Sequence, residues 1–545
     1  MPRLSGGPST RPFRERHVRF RVQTEAMSPS RYSNSRRWTL VGTLALAVAW
    51  GPATWAQSPV TPDRGTSPTE ADSSPKKKPS AKTLEQQIAR LQGDSEKALR
   101  ERDLPAAEAA TRGLLELQPD NFVHVYNLAC LRARQNDAKD AAHWLAKAVE
   151  LGFTDLRHLQ RDPDLNAIRD GAEYQAILRD WPTFLAQSAE RNLAQVRELF
   201  KGKSYREERD ERLRMIYLGA IEDRAFEEIR AEMAHLADWA GEAVFPGLHD
   251  PAQLKTDAWV VVVLPTRPDF ARWSNTTFGT NANNGLSMIG GSYQHDSKRL
   301  ISQDLGSSLR HEFFHALHWR DCTRRGQVHA MWVQEGLCSL VEDYDVLPGG
   351  KIAPAPSWRT NAAARMLTSA NFIPLPKLVA STPQDFFGGR RLAYYAQSRA
   401  LFLYLFQQHK LRDWYERYTA DFRTDRTGKS ALESVLGKPL DDLEKDFRAW
   451  VRQLPVVPEE LKPGMPSLGV EVENGEGEGP KVVATPRSSP FAHNDVITSV
   501  NKRPTRDLPE LLRVLGSYRP HDIVPVTVRR GKVYKDLEIT LGSAR

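Results

Sequence analysis

The segment Leu309–Trp319 reads LRHEFFHALHW, and it contains the pattern HEFFH from His311 to His315. Two histidines four residues apart lie one turn apart on the same face of an α-helix. Both imidazoles can therefore reach one zinc ion at about 2.0–2.1 Å. Glu312 lies beside that axis and can take a proton from water whose pKa the metal lowers. The pattern predicts a metal-binding helix that carries its own general base.

Zinc sites of this type use three protein ligands and leave one position open. A second helical segment, MWVQEGL over Met331–Leu337, supplies Glu335, which we expect to close the site from the facing helix. Asp321 is the alternative third ligand, six residues after His315. The motif that uses this position needs glycine where this sequence has His318, so the sequence favours Glu335.

This pair of helices resembles the gluzincins, the thermolysin-like superfamily of zinc peptidases, and in particular its peptidase MA-like bacterial families. The resemblance covers about 250 residues and implies an α+β zincin-type metallopeptidase domain, which we expect over residues 190–454. It also implies that Glu335 binds one Zn²⁺ together with the two histidines.

Other residues of the expected site are less directly marked. Ser307 and Ser308 precede the HEFFH helix and are candidate caps for its first turn. Because gluzincins use a Tyr or His to stabilise the developing oxyanion, Tyr395, in the helix LAYYAQSRALFLYLF, is the candidate donor and His329 the second candidate. Half-buried packing is the alternative role for this tyrosine.

Two carboxylates follow the Glu335 helix. Glu342 and Asp343 lie about two turns beyond Glu335, where they could hold the ligating imidazoles in place. Alternatively, they form the solvated end of the helix.

The chain has 545 residues, of which 40% are hydrophobic and 26% charged, so it can form several domains with ordinary cores. Its three cysteines exclude a disulfide scaffold and a four-cysteine zinc module. Cys322 and Cys338 lie on either side of the Glu335 segment. The sequence leaves open whether they form a disulfide or remain two buried thiols.

Most of the positive charge lies at the N-terminus. Nine arginines and two glutamates precede Trp38, which gives 9 − 2 = +7 of the formal +8. The remaining chain is therefore close to neutral, and we expect no nucleic-acid partner.

The uncharged run Trp38–Trp50, WTLVGTLALAVAW, has the length of a secretory hydrophobic segment. We expect residues 1–56 to be a leader that directs a bacterial protein to the periplasm or the medium. If the leader stays uncleaved, it anchors the protein to the membrane. Residues 57–83 are rich in Pro and Ser and are predicted to be a disordered linker.

Helical periodicity extends over residues 84–189. The segment that begins DLPAA at Asp103 recurs 34 residues later as DAKDA at Asp137. A 34-residue period resembles the tetratricopeptide repeats, which implies paired helices with a concave surface for a protein partner. A helical cap packed on the next domain is the alternative.

Between this region and the HEFFH helix, the sequence predicts a strand within Leu213–Ile221, a long helix to Phe245, and a buried strand over Trp259–Leu264. A Gly- and Asn-rich loop is expected next, followed by a strand or hairpin over Gly290–Ile301. This order is typical of an α+β domain with a sheet in front of the metal helix.

Proline-rich residues 455–466 predict a linker before a β-rich module over residues 467–545. Within it, the block DVITSVN at Asp495–Asn501 and the predicted helix at Asp507–Leu515 resemble the PDZ domains of bacterial proteases. Asn494 stands where these domains usually have glycine.

The PDZ resemblance implies a groove that adds a ligand strand to a sheet edge and binds a terminal carboxylate. Leu468, Gly469 and Val470 are the residues expected to bind such a C-terminal peptide.

The sequence therefore predicts a multidomain protein with tetratricopeptide-like helices, a zincin-type domain and a PDZ domain. We expect an exported zinc metallopeptidase whose PDZ domain and helical repeats recruit peptide or protein substrates and partners. The alternative is an inactive envelope scaffold in which the two binding modules flank a catalytically dead metalloprotein.

Overall fold

The computed structural model describes residues 81–250, 257–278, 290–295, 297–369, 371–474 and 477–544. The predicted leader and most of the predicted linker over 57–83 lie outside these residues. In the part of the chain that the structure describes, no helix is both long enough and apolar enough to cross a bilayer.

The N-terminal region is helical, as predicted. Its elements are α1 (Ala81–Glu101), α2 (Leu104–Leu117), α3 (Phe122–Arg134), α4 (Ala138–Glu150), α5 (Leu156–Arg161), a 3₁₀ turn (Pro163–Ile168), α6 (Ala172–Arg179) and α7 (Trp181–Leu199). Helix α1 thus begins inside the predicted linker. Asp103 caps α2 and Asp137 caps α4, each by accepting a backbone N–H from the first turn. The two aspartates, 34 residues apart, therefore have the same structural role.

Helix α7 joins the helical region to the next part of the chain. Its first half, with Trp181 and Leu185, lies in the core of the helical region. Its second half, with Leu193 and Val196, packs on a β-sheet. The predicted domain boundary between residues 189 and 190 therefore falls inside one continuous helix.

That sheet has five strands, in the order β1-β2-β3-β5-β4. The strands are β1 (Arg206–Asp210), β2 (Met215–Gly219), β3 (Val260–Leu264), β4 (Gly291–Gln294) and β5 (Arg299–Ser302). β3 runs parallel to β2 and β5, whereas β1 and β4 are antiparallel to their neighbours. Strand β3 is buried on both faces, which explains its continuous apolar run.

Helices cover both faces of this sheet. They are α8 (Asp223–Ala243), α9 (Arg267–Phe278) and α10 (Ser307–Arg325). Val260 and Val262 share a core with Phe313 of α10, and Val261 and Val263 face α7 and α9. The helix that carries HEFFH therefore packs directly beneath the sheet.

One strand of this region was not predicted, and one prediction was wrong. Strand β1, with the sequence REERD, was not predicted because it carries no apolar alternation. Helix α9 occupies the start of the segment predicted to be a loop. Its first turn is marked by a hydrogen bond from Thr266 Oγ1 to Asp269 Oδ2 at 2.9 Å, and this Thr-x-x-Asp spacing was the signal in the sequence.

A helical layer follows. It contains α11 (Met331–Leu340), the hairpin β6 (Tyr344–Val346) and β7 (Ile352–Pro354), α12 (Trp358–Thr368), α13 (Leu375–Val379), α14 (Pro383–Phe387), α15 (Arg391–Gln407), α16 (Leu411–Asp421), α17 (Lys429–Leu436) and α18 (Leu440–Gln453). Helices α11 and α15 approach closely at Gly336, where a β-carbon would lie 2.7 Å from the Phe402 ring. Glycine is therefore required immediately after Glu335.

The C-terminal domain is β-rich, as predicted. Its elements are β8 (Pro466–Ser467), β9 (Glu471–Glu473), β10 (Lys481–Ala484), β11 (Val496–Val500), β12 (Arg503–Pro504), α19 (Leu508–Leu515), β13 (Ile523–Arg530), β14 (Val533–Thr540) and β15 (Gly542–Ser543). The main sheet has the order β14-β13-β11-β10-β9, so β9 is an edge strand. Leu511 and Val514 of α19 pack on the buried side of this sheet.

Candidate metal centre

The HEFFH helix α10 starts beside an aspartate rather than a serine cap. Asp304 Oδ1 accepts the backbone N–H groups of Gly306 and Ser308 at 2.9 and 3.1 Å. The hydroxyl of Ser307 donates instead to Asp507 of the C-terminal domain. The prediction that Ser307 and Ser308 cap this helix was therefore wrong, because Asp304 reaches the first turn from the preceding loop.

The three residues predicted to bind metal lie together. His311 Nε2 is 3.1 Å from His315 Nε2, and Glu335 Oε2 is 3.3 and 3.7 Å from these two nitrogens. Donors bound tetrahedrally at 2.0–2.1 Å lie roughly 3.3 Å apart, so this spacing fits a single zinc ion. The donor set, two imidazoles and one carboxylate, is also one that zinc uses.

His311 is held from its other ring nitrogen. Nδ1 lies 3.0 Å from Glu342 Oε1, and Arg359 donates to both oxygens of Glu342 at 2.5 and 2.9 Å. Burial raises the pKa of Glu342, but Arg359 and His311 outweigh it and lower this pKa to about 2. An ionised Glu342 accepts a hydrogen bond from Nδ1–H of His311. The lone pair of Nε2 is then free to bind metal. Arg359 was not identified from the sequence, and Asp343 faces Arg399 instead of the histidines.

Glu312 lies beneath strand β4. Its carboxylate accepts the backbone N–H of Tyr293, and Gly291 lies directly against its side chain. Burial raises the pKa of Glu312, and the adjacent imidazoles of His311 and His315 offset only part of this rise. A carboxylate with a raised pKa is suited to accept a proton near neutral pH.

Strand β4 forms the outer edge of the five-stranded sheet, directly beside the three metal-binding candidates. The ring of Tyr293 stacks on His315 with centroids 6.2 Å apart and an interplanar angle of 8°. The sheet edge therefore runs past Glu312 and His315 together. This relationship was not predicted from the sequence.

Tyr395 of α15 lies beside the same group. Its ring stacks on His311 with centroids 6.5 Å apart, and its hydroxyl bonds Glu335. Burial and the Glu335 carboxylate raise the pKa of Tyr395 well above its ordinary value, so the hydroxyl keeps its proton. A protonated phenol at this position is a hydrogen-bond donor.

His329, the second candidate donor, lies in a separate pocket. Its Nδ1 is 2.8 Å from His318 Nε2, and its Nε2 is 3.0 Å from Gln327 Oε1. Burial lowers the pKa of both histidines, that of His318 to about 3. The ring of His329 bonds His318 and Gln327, whereas Tyr395 contacts His311 and Glu335, so Tyr395 is the better placed donor.

The remaining candidates are Asp321 and the two cysteines. Asp321, the alternative third ligand, pairs with Arg324 and Arg325 and accepts the hydroxyl of Tyr415 at 2.7 Å. Cys322 and Cys338 are both free thiols. Cys322 lies with His318 and His329 in a second group of potential metal ligands, whose donor atoms lie within 4.8 Å of one another.

In the C-terminal domain, the residues predicted to bind a peptide carboxylate connect β8 to β9. Leu468 is buried in the core, Val470 packs partly against it, and Gly469 has a φ of +71°, which favours glycine. Asn474 Oδ1 accepts the backbone N–H of Leu508 and thereby links the end of β9 to α19. Asn494 has a φ of +68°, a conformation that asparagine tolerates in place of glycine.

A family model for the PDZ domain matches residues 466–541. No curated protein matches the chain in sequence. Among solved structures, the chain is similar to an aminopeptidase N family protein from Idiomarina loihiensis at 12% sequence identity and a TM-score of 0.25. That similarity covers 63% of this chain and 67% of the other. The C-terminal β-rich domain of this protein is a PDZ domain.

Proposed function

We propose that this protein is a zinc-dependent peptidase of the gluzincin type. The observation that carries the proposal is the convergence of His311, His315 and Glu335 beside Glu312, next to strand β4 at one end of the described sheet. His311, His315 and Glu335 would hold the ion, and Glu342 would orient His311 from behind. When bound, zinc supplies a Lewis acid that lowers the pKa of water and polarises a carbonyl group.

The residues around the ion have separate tasks in this proposal. Glu312, with its raised pKa, takes the proton from the attacking water and later passes it to the leaving amine. Tyr395 keeps its proton and donates a hydrogen bond where negative charge develops on the carbonyl oxygen. Glu312 is buried and Tyr395 is half-buried beside the ligands, so their interactions act in a region of lower dielectric constant than bulk water.

The substrate class follows from strand β4. In the part of the chain that the structure describes, β4 pairs with β5 on one side, and an extended polypeptide could add as a further strand on its other side. Because β4 passes over Glu312, a polypeptide added there would bring a backbone carbonyl next to the metal ligands. The proposed substrates are therefore peptide bonds rather than other carbonyl compounds.

The flanking regions recruit partners in the same proposal. The PDZ domain would bind a C-terminal peptide along β9, with Leu468, Gly469 and Val470 at the carboxylate. The helical region would act as tetratricopeptide-like repeats, which the equivalent caps at Asp103 and Asp137 support. The leader would carry the protein out of the bacterial cytoplasm.

Zinc content and hydrolysis of an unfolded protein test this function together. We expect one zinc per chain and hydrolysis in the wild type, and no bound zinc in His315→Ala. Glu312→Gln should retain zinc and lose hydrolysis, because it removes the base and spares the ligands. A wild type that binds no zinc after reconstitution, or a Glu312→Gln variant with full activity, would contradict the proposal.

A further inference from the structure

Helix α19 of the PDZ domain has one face in the domain core and another against the rest of the chain. Leu511, Val514 and Leu515 are buried in the PDZ core. Asp507, at the cap, and Glu510 and Arg513, within the helix, contact residues outside the domain. The spacing of three places these side chains on one face. The outward face of this helix is therefore charged and already paired.

The first set of contacts reaches α10. Glu510 Oε1 is 3.3 Å from Nη1 of Arg310, which is 2% exposed and directly precedes His311. The same guanidinium lies 3.3 Å from Glu232 on α8. Ser307, in the first turn of α10, donates to Asp507 at 3.0 Å. The N-terminal end of the HEFFH helix is thus bound by two side chains of the PDZ domain.

The second set reaches the segment that follows α11. Arg513 donates to Asp345 Oδ1 at 2.6 Å and to the carbonyl oxygen of Tyr344 at 3.0 Å. Tyr344 comes two residues after Glu342, which holds Nδ1 of His311. One PDZ helix therefore contacts both chain segments that position the metal-binding candidates.

Backbone contacts make the same interface close. Asp304, which caps α10, forms a parallel β-bridge with Gly477 of the PDZ domain. At Gly306, a β-carbon would lie 2.8 Å from Cβ of Arg506. The PDZ domain therefore packs directly on the loop that begins α10.

We propose that the PDZ domain braces the metal centre, and that Glu510 and Arg513 are positioning residues for His311 and its partner Glu342. The inference rests on the proposed function, and it adds that the peptidase site includes a domain about 200 residues away in the chain. Removing the charge of Glu510 takes away one of the ion-pair partners of the buried Arg310, which favours a shift of the first turns of α10.

The test compares Glu510→Gln and Arg513→Gln with the wild type in the full-length protein. Zinc affinity is measured by competition with a chelator, and hydrogen exchange of the amides in α10 is measured without metal. We expect zinc affinity to fall roughly threefold to tenfold, less than for loss of a group bonded directly to a ligand. Exchange over residues 307–315 should become faster in Glu510→Gln.

Glu228→Gln is the matched control. It removes the ion pair between Glu228 and Arg506, which belongs to the same interface but reaches α8 instead of α10. We expect this variant to keep wild-type zinc affinity and wild-type exchange in α10. Equal losses in Glu228→Gln and Glu510→Gln would indicate general weakening of the interface and overturn the brace.

The two proposals fail separately. If the wild type binds zinc and both α19 variants match it in zinc affinity and in exchange, the brace is wrong and the peptidase proposal stands. If the wild type binds no zinc, the peptidase proposal is wrong. In that case unchanged exchange in α10 overturns the brace as well, and faster exchange supports it.

Discussion

Gly291 lies against the side chain of Glu312 so closely that a β-carbon at position 291 would be 2.5 Å from Glu312 Cγ. The contact sets the separation between the sheet edge and the candidate base. A substitution at Gly291 tests this separation.

Gly291→Ala should lower kcat on the order of a hundredfold with zinc content unchanged, because the added methyl group must displace Glu312 or strand β4. Steady-state kinetics and zinc analysis of the purified variant measure both quantities. Gly389→Ala is the control, since a β-carbon there meets nothing within 4 Å. Full activity of Gly291→Ala would show that Glu312 and β4 are not held in the arrangement described.

Tyr395→Phe should lower kcat by roughly a hundredfold and leave KM nearly unchanged when the protein is saturated with zinc. The substitution removes one donor and keeps the ring that stacks on His311. Tyr394→Phe, at the neighbouring buried tyrosine, is the control and should retain activity. An unaltered kcat for Tyr395→Phe would assign this residue to packing alone.

Glu342→Gln should weaken zinc binding by roughly 10–100-fold, because the amide no longer accepts the Nδ1 proton of His311 as a charged partner does. Chelator competition at neutral pH measures the change. Glu416→Gln, in a surface pair with Arg412, should have no effect. Equal zinc affinity in the wild type and Glu342→Gln would separate this carboxylate from the metal centre.

Asp507 should make stability depend on pH. Burial, together with Glu510, Asp304 and Asp343, raises its pKa to about 7, against about 3.9 in an unfolded chain. Because the folded protein binds this proton more tightly than the unfolded chain does, protonated Asp507 stabilises the fold. This stabilisation is complete below about pH 4 and is lost as the pH rises through 7. Between pH 5 and 7 we therefore expect the Tm of the wild type to fall relative to that of Asp507→Asn, and the difference to level off above about pH 7. Parallel curves for the two proteins would contradict the assignment.

Helix periodicity alone predicts that His311 and His315 share one face of a helix beside Glu312, and their role in binding metal stays a prediction. The resemblance to known peptidases indicated Glu335, which lies in a separate helix. Neither the periodicity nor the resemblance indicated Arg359, whose contact with Glu342 joins α12 to the segment that follows α11. A side chain that acts through tertiary packing leaves no local pattern.

Strands, too, could be predicted where they carry a local sequence pattern and were missed where they do not. The strand Val260–Leu264 was evident because burial on both faces requires an apolar run. Strand β1 was missed because its glutamates and arginines pair with charges on neighbouring helices, for example Glu207 with Arg197. The contacts of Glu510 and Arg513 were likewise invisible, because on a short helix these residues resemble ordinary surface charges.

The attachment of α19 to both segments that position the metal-binding candidates has a further consequence, which concerns where a bound polypeptide would be cleaved. A flexibly tethered PDZ domain would let its ligand reach the metal from many positions, so the place of cleavage would vary. Here the PDZ domain, which contains β9, is joined to the domain that contains β4 by the buried ion pair of Arg310 with Glu510 and by a β-bridge. A polypeptide held at β9 would therefore present to the metal ligands a bond at a set number of residues from its terminus. The length of chain between the two sites would then fix the position of cleavage.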